Sequence, residues 1–207
     1  MRIYDGKYLS VTSIIDLREP FDKSSFKRWC EQQGLNEALI SSTSRILGEK
    51  VSTYLDNTCK GLGGITAPQV DDLESRLLAG VDDFTRKCKL LDTEVEVVCE
   101  SLRYAGRLDG IIERGRVRYL VDWKTYGAWK KTPYKRDSGK LKHVRWQLSL
   151  YAYAIDWIGK LAVVVFKNNG SWEMEEVKFD NEMIKWVEDN QKLILEVVEN
   201  EKANKKA

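Results

Sequence analysis

Histidine is nearly absent: His143 is the one example in 207 residues. By itself it gives little basis for a histidine-built metal site. Cysteine is sparse too. Cys30, Cys59, Cys88 and Cys99 are irregularly spaced and form no Cys-x-x-Cys pair, so the default is reduced thiols packed as small apolar residues. No charge of one sign dominates. The 34 basic and 32 acidic side chains leave a formal charge of +2, so any nucleic-acid footprint must be local. No apolar run approaches the roughly 20 residues of a membrane span, and the start of the chain lacks a signal-peptide core. These absences predict an intracellular protein. Gly61-Leu-Gly-Gly64 lacks the Gly-Lys-Ser/Thr ending of a phosphate loop, so it takes no nucleotide role. No repeat or linker interrupts the chain. Its length and its 43% hydrophobic content suit a single domain over residues 1–207.

What is present centres on Tyr104 to Lys124. Two β-branched apolar runs, Leu108–Ile112 and Val117–Val121, flank the polar Glu113-Arg114-Gly115-Arg116. That is a hairpin signal. Side chains alternate along a strand, so Asp122 and Lys124 share a face and Trp123 points the other way. A loop of even length sets Asp109 opposite Leu120 or Asp122, and either register puts Asp109, Asp122 and Lys124 together. The carboxylates would be cross-strand neighbours about 5–8 Å apart at Cβ. Carboxylates that close repel, so a buried pair needs protons, cations or a metal. An oxygen-rich pair beside one lysine suits Mg²⁺ or Mn²⁺.

The remaining elements follow in order. Residues 1–19 read as a strand or extended segment ending near Pro20. Asp22 or Ser24 caps a helix that Gly34 stops. Ser44 to about Cys59 and Val70 to Leu91 have helical spacing. Thr93–Glu100 alternates like a half-buried strand beside the hairpin. Tyr126 to His143 is long and irregular. It interleaves Lys130, Lys131, Lys135 and Arg136 with Tyr126, Trp129 and Tyr134. Cations of that kind hold phosphates while aromatic faces stack on unpaired bases; the alternative is a solvated loop. Gln147 and Tyr151 are spaced to share a helix face. Leu161–Phe166 is apolar throughout, as in a strand covered on both faces, and Trp172–Phe179 returns beside it. Asp180 caps a helix of about twenty residues through Ile184, Val187, Leu193 and Val197, as the apolar period suggests. The alternation of helices and strands predicts an α/β domain with a mixed sheet flanked by helices.

Gly106-Arg-Leu-Asp109, then Asp122-Trp-Lys124, then Gln147-x-x-x-Tyr151 resembles the motif order of the PD-(D/E)XK nuclease superfamily, RecB-type exonuclease branch. This branch includes nucleases of CRISPR adaptation and exonucleases of phages and archaeal viruses. The likeness runs from Val11 to about Phe166. It implies a restriction-endonuclease-like fold in which Asp109, Asp122 and the backbone carbonyl of Trp123 bind Mg²⁺ or Mn²⁺. It also implies that Lys124 serves the hydrolytic water or the phosphate, and that Gln147 and Tyr151 help place the DNA backbone. The chain departs from the pattern at Ser52, where the branch commonly has a metal-binding histidine. Glu49 on the same helix is one candidate substitute, with a solvated helix glutamate the equal alternative; Glu100 stands where the branch often has a glutamate before the Gly-x-x-Asp and is a further candidate ligand, against the favoured alternative of a solvated strand-edge charge. Some relatives hold an iron–sulfur cluster with C-terminal cysteines, and nothing after Cys99 is cysteine. The expected activity is that of a metal-dependent DNA exonuclease favouring single strands or ends, with homo-oligomerisation as one route to a closed channel. The alternatives are a structure-specific endonuclease using the same site and a catalytically silent nucleic-acid-binding module.

Overall fold

The computed structural model describes residues 1–20, 24–62, 73–126 and 139–204. A mixed, open sheet of seven strands is flanked, among the described residues, by seven helices. It is the α/β arrangement expected. The chain opens with β1 (Ile3–Tyr4) and β2 (Tyr8–Ser10), then α1 (Val11–Arg18), α2 (Ser24–Gln32) and α3 (Glu37–Cys59). After α4 (Leu73–Lys87) come β3 (Lys89–Cys99), β4 (Tyr104–Arg114) and β5 (Val117–Tyr126). Helix α5 (Gly139–Ala154), β6 (Lys160–Lys167), β7 (Trp172–Val177), α6 (Asn181–Asp189) and α7 (Gln191–Asn204) complete it. Among the described residues no helix is long and apolar enough to cross a membrane.

Several boundaries differ from the sequence reading for local reasons. Val11–Ile15 is helical, although its β-branched residues suit a strand. Ser10 caps the helix, its Oγ accepting from Ser13 N at 3.1 Å. Val11, Ile14 and Ile15 then bury one helical face, and that packing outweighs propensity. Helix α3 starts before Ser44 because the Asn36 side chain accepts from Leu39 N. Helix α4 gives way to strand, so Lys89 to Leu91 belong to β3; its expected start at Val70 lies outside the described residues. Helix α5 begins at Gly139, inside the stretch expected to be irregular. The last helix is two: Asp180 caps α6 as expected, but the chain breaks at Asn190 and α7 buries Ile194 and Val198 rather than Leu193. The expected tail from Lys202 begins within α7, and residues 205–207 lie outside the described set.

Strand β4 is the trunk of the sheet. β3 pairs antiparallel along one edge, from Glu113 to Tyr104. The other edge is shared. β5 pairs antiparallel with Gly110–Arg114, closing a tight turn at Gly115-Arg116 with Gly115 at φ 66°. β2 pairs parallel with Tyr104 and Ala105. Between these partners, Gly106 to Asp109 have no strand on that edge among the described residues. The sheet forks there, and the fork positions the site.

Two cores lie on the two faces of the sheet. One gathers Leu9, Leu108, Leu120, Val163 and Val165 under α1, α5, α6 and α7. The other gathers Ile112, Val121, Trp123, Val164 and Phe166 under α3 and α4. β6 serves both in alternation, as a strand covered on both faces must. In β4 the alternation breaks. Leu108 and Ile112 have the same parity but enter opposite cores, so the strand turns over near Asp109. Opposite this point in β3, Glu94 has φ 52°, a left-handed conformation uncommon outside glycine.

Candidate active site

The fork opens into a groove of about 690 Å³. Its walls come from the start of α1 (Ser10, Thr12), the inner face of α3 (Arg45, Glu49, Ser52, Asp56) and α5 (Gln147, Tyr151). Its floor is Gly106, Arg107 and Asp109 of β4 with Trp123 and Lys124 of β5.

The hairpin brings the three expected residues together. Gly110 pairs with Val121, and continuing that register sets Asp109 opposite Asp122. With the ladder ending there, the N–H of Trp123 is donated to Asp109 Oδ2 at 2.8 Å. Residues of an antiparallel pair exchange both backbone groups along one edge, so the Trp123 carbonyl faces the same way. The Trp123 indole packs in the opposite core, edge-on to Phe84 at 5.7 Å. Gly110 makes room for it, since a Cβ there would lie 2.4 Å from the indole.

Asp122 is only 1% exposed, and among the described residues its Oδ1 has no hydrogen-bond partner. Its close neighbour is Lys124 Nζ, 2.5 Å from Oδ2. Leaving one buried carboxylate oxygen without a donor costs on the order of a few kcal/mol. Burial raises the Asp109 pKa from 3.8 to about 7, and the charge of Asp122 adds to the rise. The site is thus short of positive charge. Two carboxylates and a backbone carbonyl fit Mg²⁺ or Mn²⁺, which take few protein ligands and keep several waters. Among the described residues no group of three or more His, Cys, Asp and Glu side chains forms a metal cage. The arrangement suits a hard cation completed by water or phosphate oxygens better than a closed structural site.

The other predicted residues divide. Glu49 lines the groove, but its carboxylate is engaged by Arg45 at 2.9 Å on the same helix. Ser52 stands on the groove wall where the branch has histidine. Glu100 is not brought to the groove: it lies in the turn after β3 and accepts from the Tyr8 hydroxyl at 2.6 Å. Gln147 and Tyr151 both reach the groove from α5. Tyr151 is 3% exposed and donates its hydroxyl to the Arg107 carbonyl at 3.0 Å. Burial, then the charges of Asp109 and Asp122, push its pKa up. Trp129, Lys130, Lys131, Lys135 and Arg136 lie outside the described residues, as does the side chain of Tyr126.

Glu94 was not singled out from sequence. It lies on the groove with its Oε2 2.6 Å from Arg107 Nε, and its charge contributes to raising Asp109. Simple alternation grouped it with the solvated Glu96. The β3 register is the signal that separates them, since Thr93–Gly110 and Val95–Leu108 place Glu94 across from Asp109. Asp56 is a second addition. Its carboxylate is held low by Lys60 and by the Thr93 hydroxyl, which donates at 2.7 Å.

No family model matches the chain, and no curated protein matches it. Solved structures do. A candidate exonuclease from Eubacterium rectale is 14% identical over 97% of this chain and 88% of that one, with a TM-score of 0.58. LHK-Exo, solved in complex with dAMP, is 14% identical over 98% of this chain and 95% of that one, with a TM-score of 0.48. The Eubacterium rectale likeness is one of fold across nearly the whole chain. The chain therefore shares the α/β fold of that protein.

Proposed function

We propose that the chain is a Mg²⁺- or Mn²⁺-dependent deoxyribonuclease that hydrolyses phosphodiester bonds, acting as an exonuclease on single strands or DNA ends. The observation that carries this reading is a pair of buried carboxylates that share one lysine: Asp109 and Lys124 line the groove, and Asp122 beside them is ion-paired to Lys124 through Oδ2, with Oδ1 unpartnered among the described residues.

Asp109, Asp122 and the Trp123 carbonyl are the ligands, with Glu49 the candidate to extend the set. When bound, the divalent ion supplies a polarised phosphate and a water of lowered pKa. The protein's own residues do the rest. The Asp109 carboxylate must shed its proton to serve as a ligand, because burial holds that proton on to about pH 7. Lys124 is half-buried on the open side of Asp122. Its ammonium holds the attacking water or carries negative charge building on the phosphate. Arg2, Arg45 and Arg107 line the groove as candidate phosphate contacts, among the acidic Glu49, Asp56, Glu94 and Asp109. Gln147 offers an amide to the strand. Tyr126, Trp129, Lys130, Lys131, Lys135 and Arg136 are, by their residue types, the candidate contacts to a single strand.

Terminally labelled single-stranded, duplex and branched DNA, followed in time with Mg²⁺, Mn²⁺ or chelator, tests the reading. Mononucleotides released from the label onward support an exonuclease. Internal fragments at branches or nicks support the endonuclease alternative. Binding without cleavage supports the silent module.

A further inference from the structure

We infer that Tyr151 is a positioning residue. It holds the unpaired stretch of β4 in the fork and thereby sets Asp109 rather than contacting DNA. This role rests on the nuclease reading of the site.

Three observations meet here. First, β2 ends its pairing at Ala105 and β5 begins its pairing at Gly110, so among the described residues the backbone between them lacks a strand partner on that edge. Buried backbone groups need partners. The Tyr151 hydroxyl supplies one, donating to Arg107 O at 3.0 Å, two residues from Asp109. Second, Gly106 is where the Tyr151 ring lies. A Cβ there would stand 2.7 Å from the hydroxyl oxygen and 2.8 Å from the ring. The glycine and the tyrosine, 45 residues apart in sequence, form one fitted contact. Third, Tyr151 is 3% exposed. Although both residues line the groove, Tyr151 has almost no surface to offer a strand, whereas its helix neighbour Gln147 is only half-buried. Asp109 sits where β4 turns over between the two cores, so its direction depends on how the preceding residues are held.

The test compares Tyr151→Phe with the parent. The variant keeps the ring and deletes the hydroxyl. Metal-dependent cleavage at saturating DNA should fall about tenfold, and affinity for Mn²⁺ alone, measured by titration calorimetry, should fall by a similar factor, as for groups that orient ligands from behind. Affinity for single-stranded DNA in chelator should stay within twofold. Gly106→Ala, which displaces the ring but keeps the hydroxyl, should give the same pattern, and it serves if Tyr151→Phe does not fold. Weakened DNA binding with unchanged Mn²⁺ affinity would overturn the inference and make Tyr151 a DNA contact. Unchanged values throughout would also overturn it. Amide exchange over residues 105–110 needs neither metal nor DNA and should quicken in Tyr151→Phe. If the parent neither cleaves nor binds Mn²⁺, the nuclease reading fails by itself, and the exchange result still decides whether Tyr151 holds the strand.

Discussion

At the scale of single residues, the site stores an unfavourable charge. Asp109 has a folded pKa of about 7, against 3.8 for an ordinary aspartate. The folded chain therefore keeps a proton that the unfolded chain releases. The sign follows from linkage: stability falls as pH rises from about 4 to about 7, and it is not regained above that range. Asp109→Asn removes the group that titrates and can still accept from Trp123 N. It should stabilise the metal-free protein by on the order of 4 kcal/mol at pH 8, a gain that shrinks toward pH 4. Thermal melts across pH check this; a variant with the parent's pH slope would contradict it. Added Mn²⁺ replaces the missing positive charge. It should raise the melting temperature more at pH 8 than at pH 6, because protons compete for the same oxygens. A chelator should reverse the rise.

At the scale of elements, the hairpin and the fork do the placing. Gly110→Ala would drive a Cβ into the Trp123 indole. Overpacking of this kind costs about 1–3 kcal/mol, and here it would also shift the backbone between Asp122 and Lys124. Denaturant melts should show the loss, with a fall in cleavage larger than stability alone explains. The hairpin was legible because its information is local: strand alternation and a short glycine turn suffice to bring Asp109, Asp122 and Lys124 together. Helix α1 was not, since Val11 to Ile15 suit strand or helix and the Ser10 cap decides. Glu94 was hidden by a left-handed residue that no periodicity announces. The partner of Tyr151 was hidden too, because the gap it fills is made by β2 and β5, which are far apart in sequence.

At the scale of the whole molecule, function rests on local rather than net charge. The sheet buries apolar side chains on both faces, so the open fork is where polar groups converge. A net charge of +2 cannot draw DNA by itself, so the proposed function leans on Lys130, Lys131, Lys135 and Arg136 as candidate phosphate contacts. Replacing Lys130, Lys131, Lys135 and Arg136 by alanine should weaken single-stranded DNA binding. It should also make the slope of log K against log salt shallower by about 3, if each cation meets one phosphate. An unchanged slope would place these cations away from the strand.

The most direct measurement is cleavage of end-labelled DNA by the parent and by Asp122→Ala, with Mg²⁺, Mn²⁺ or chelator, alongside DNA binding by both proteins. The predicted result is metal-dependent hydrolysis by the parent, lost by at least a thousandfold in Asp122→Ala (about 4 kcal/mol of barrier) while DNA affinity is retained. An Asp122→Ala protein that cleaves as fast as the parent would contradict the account.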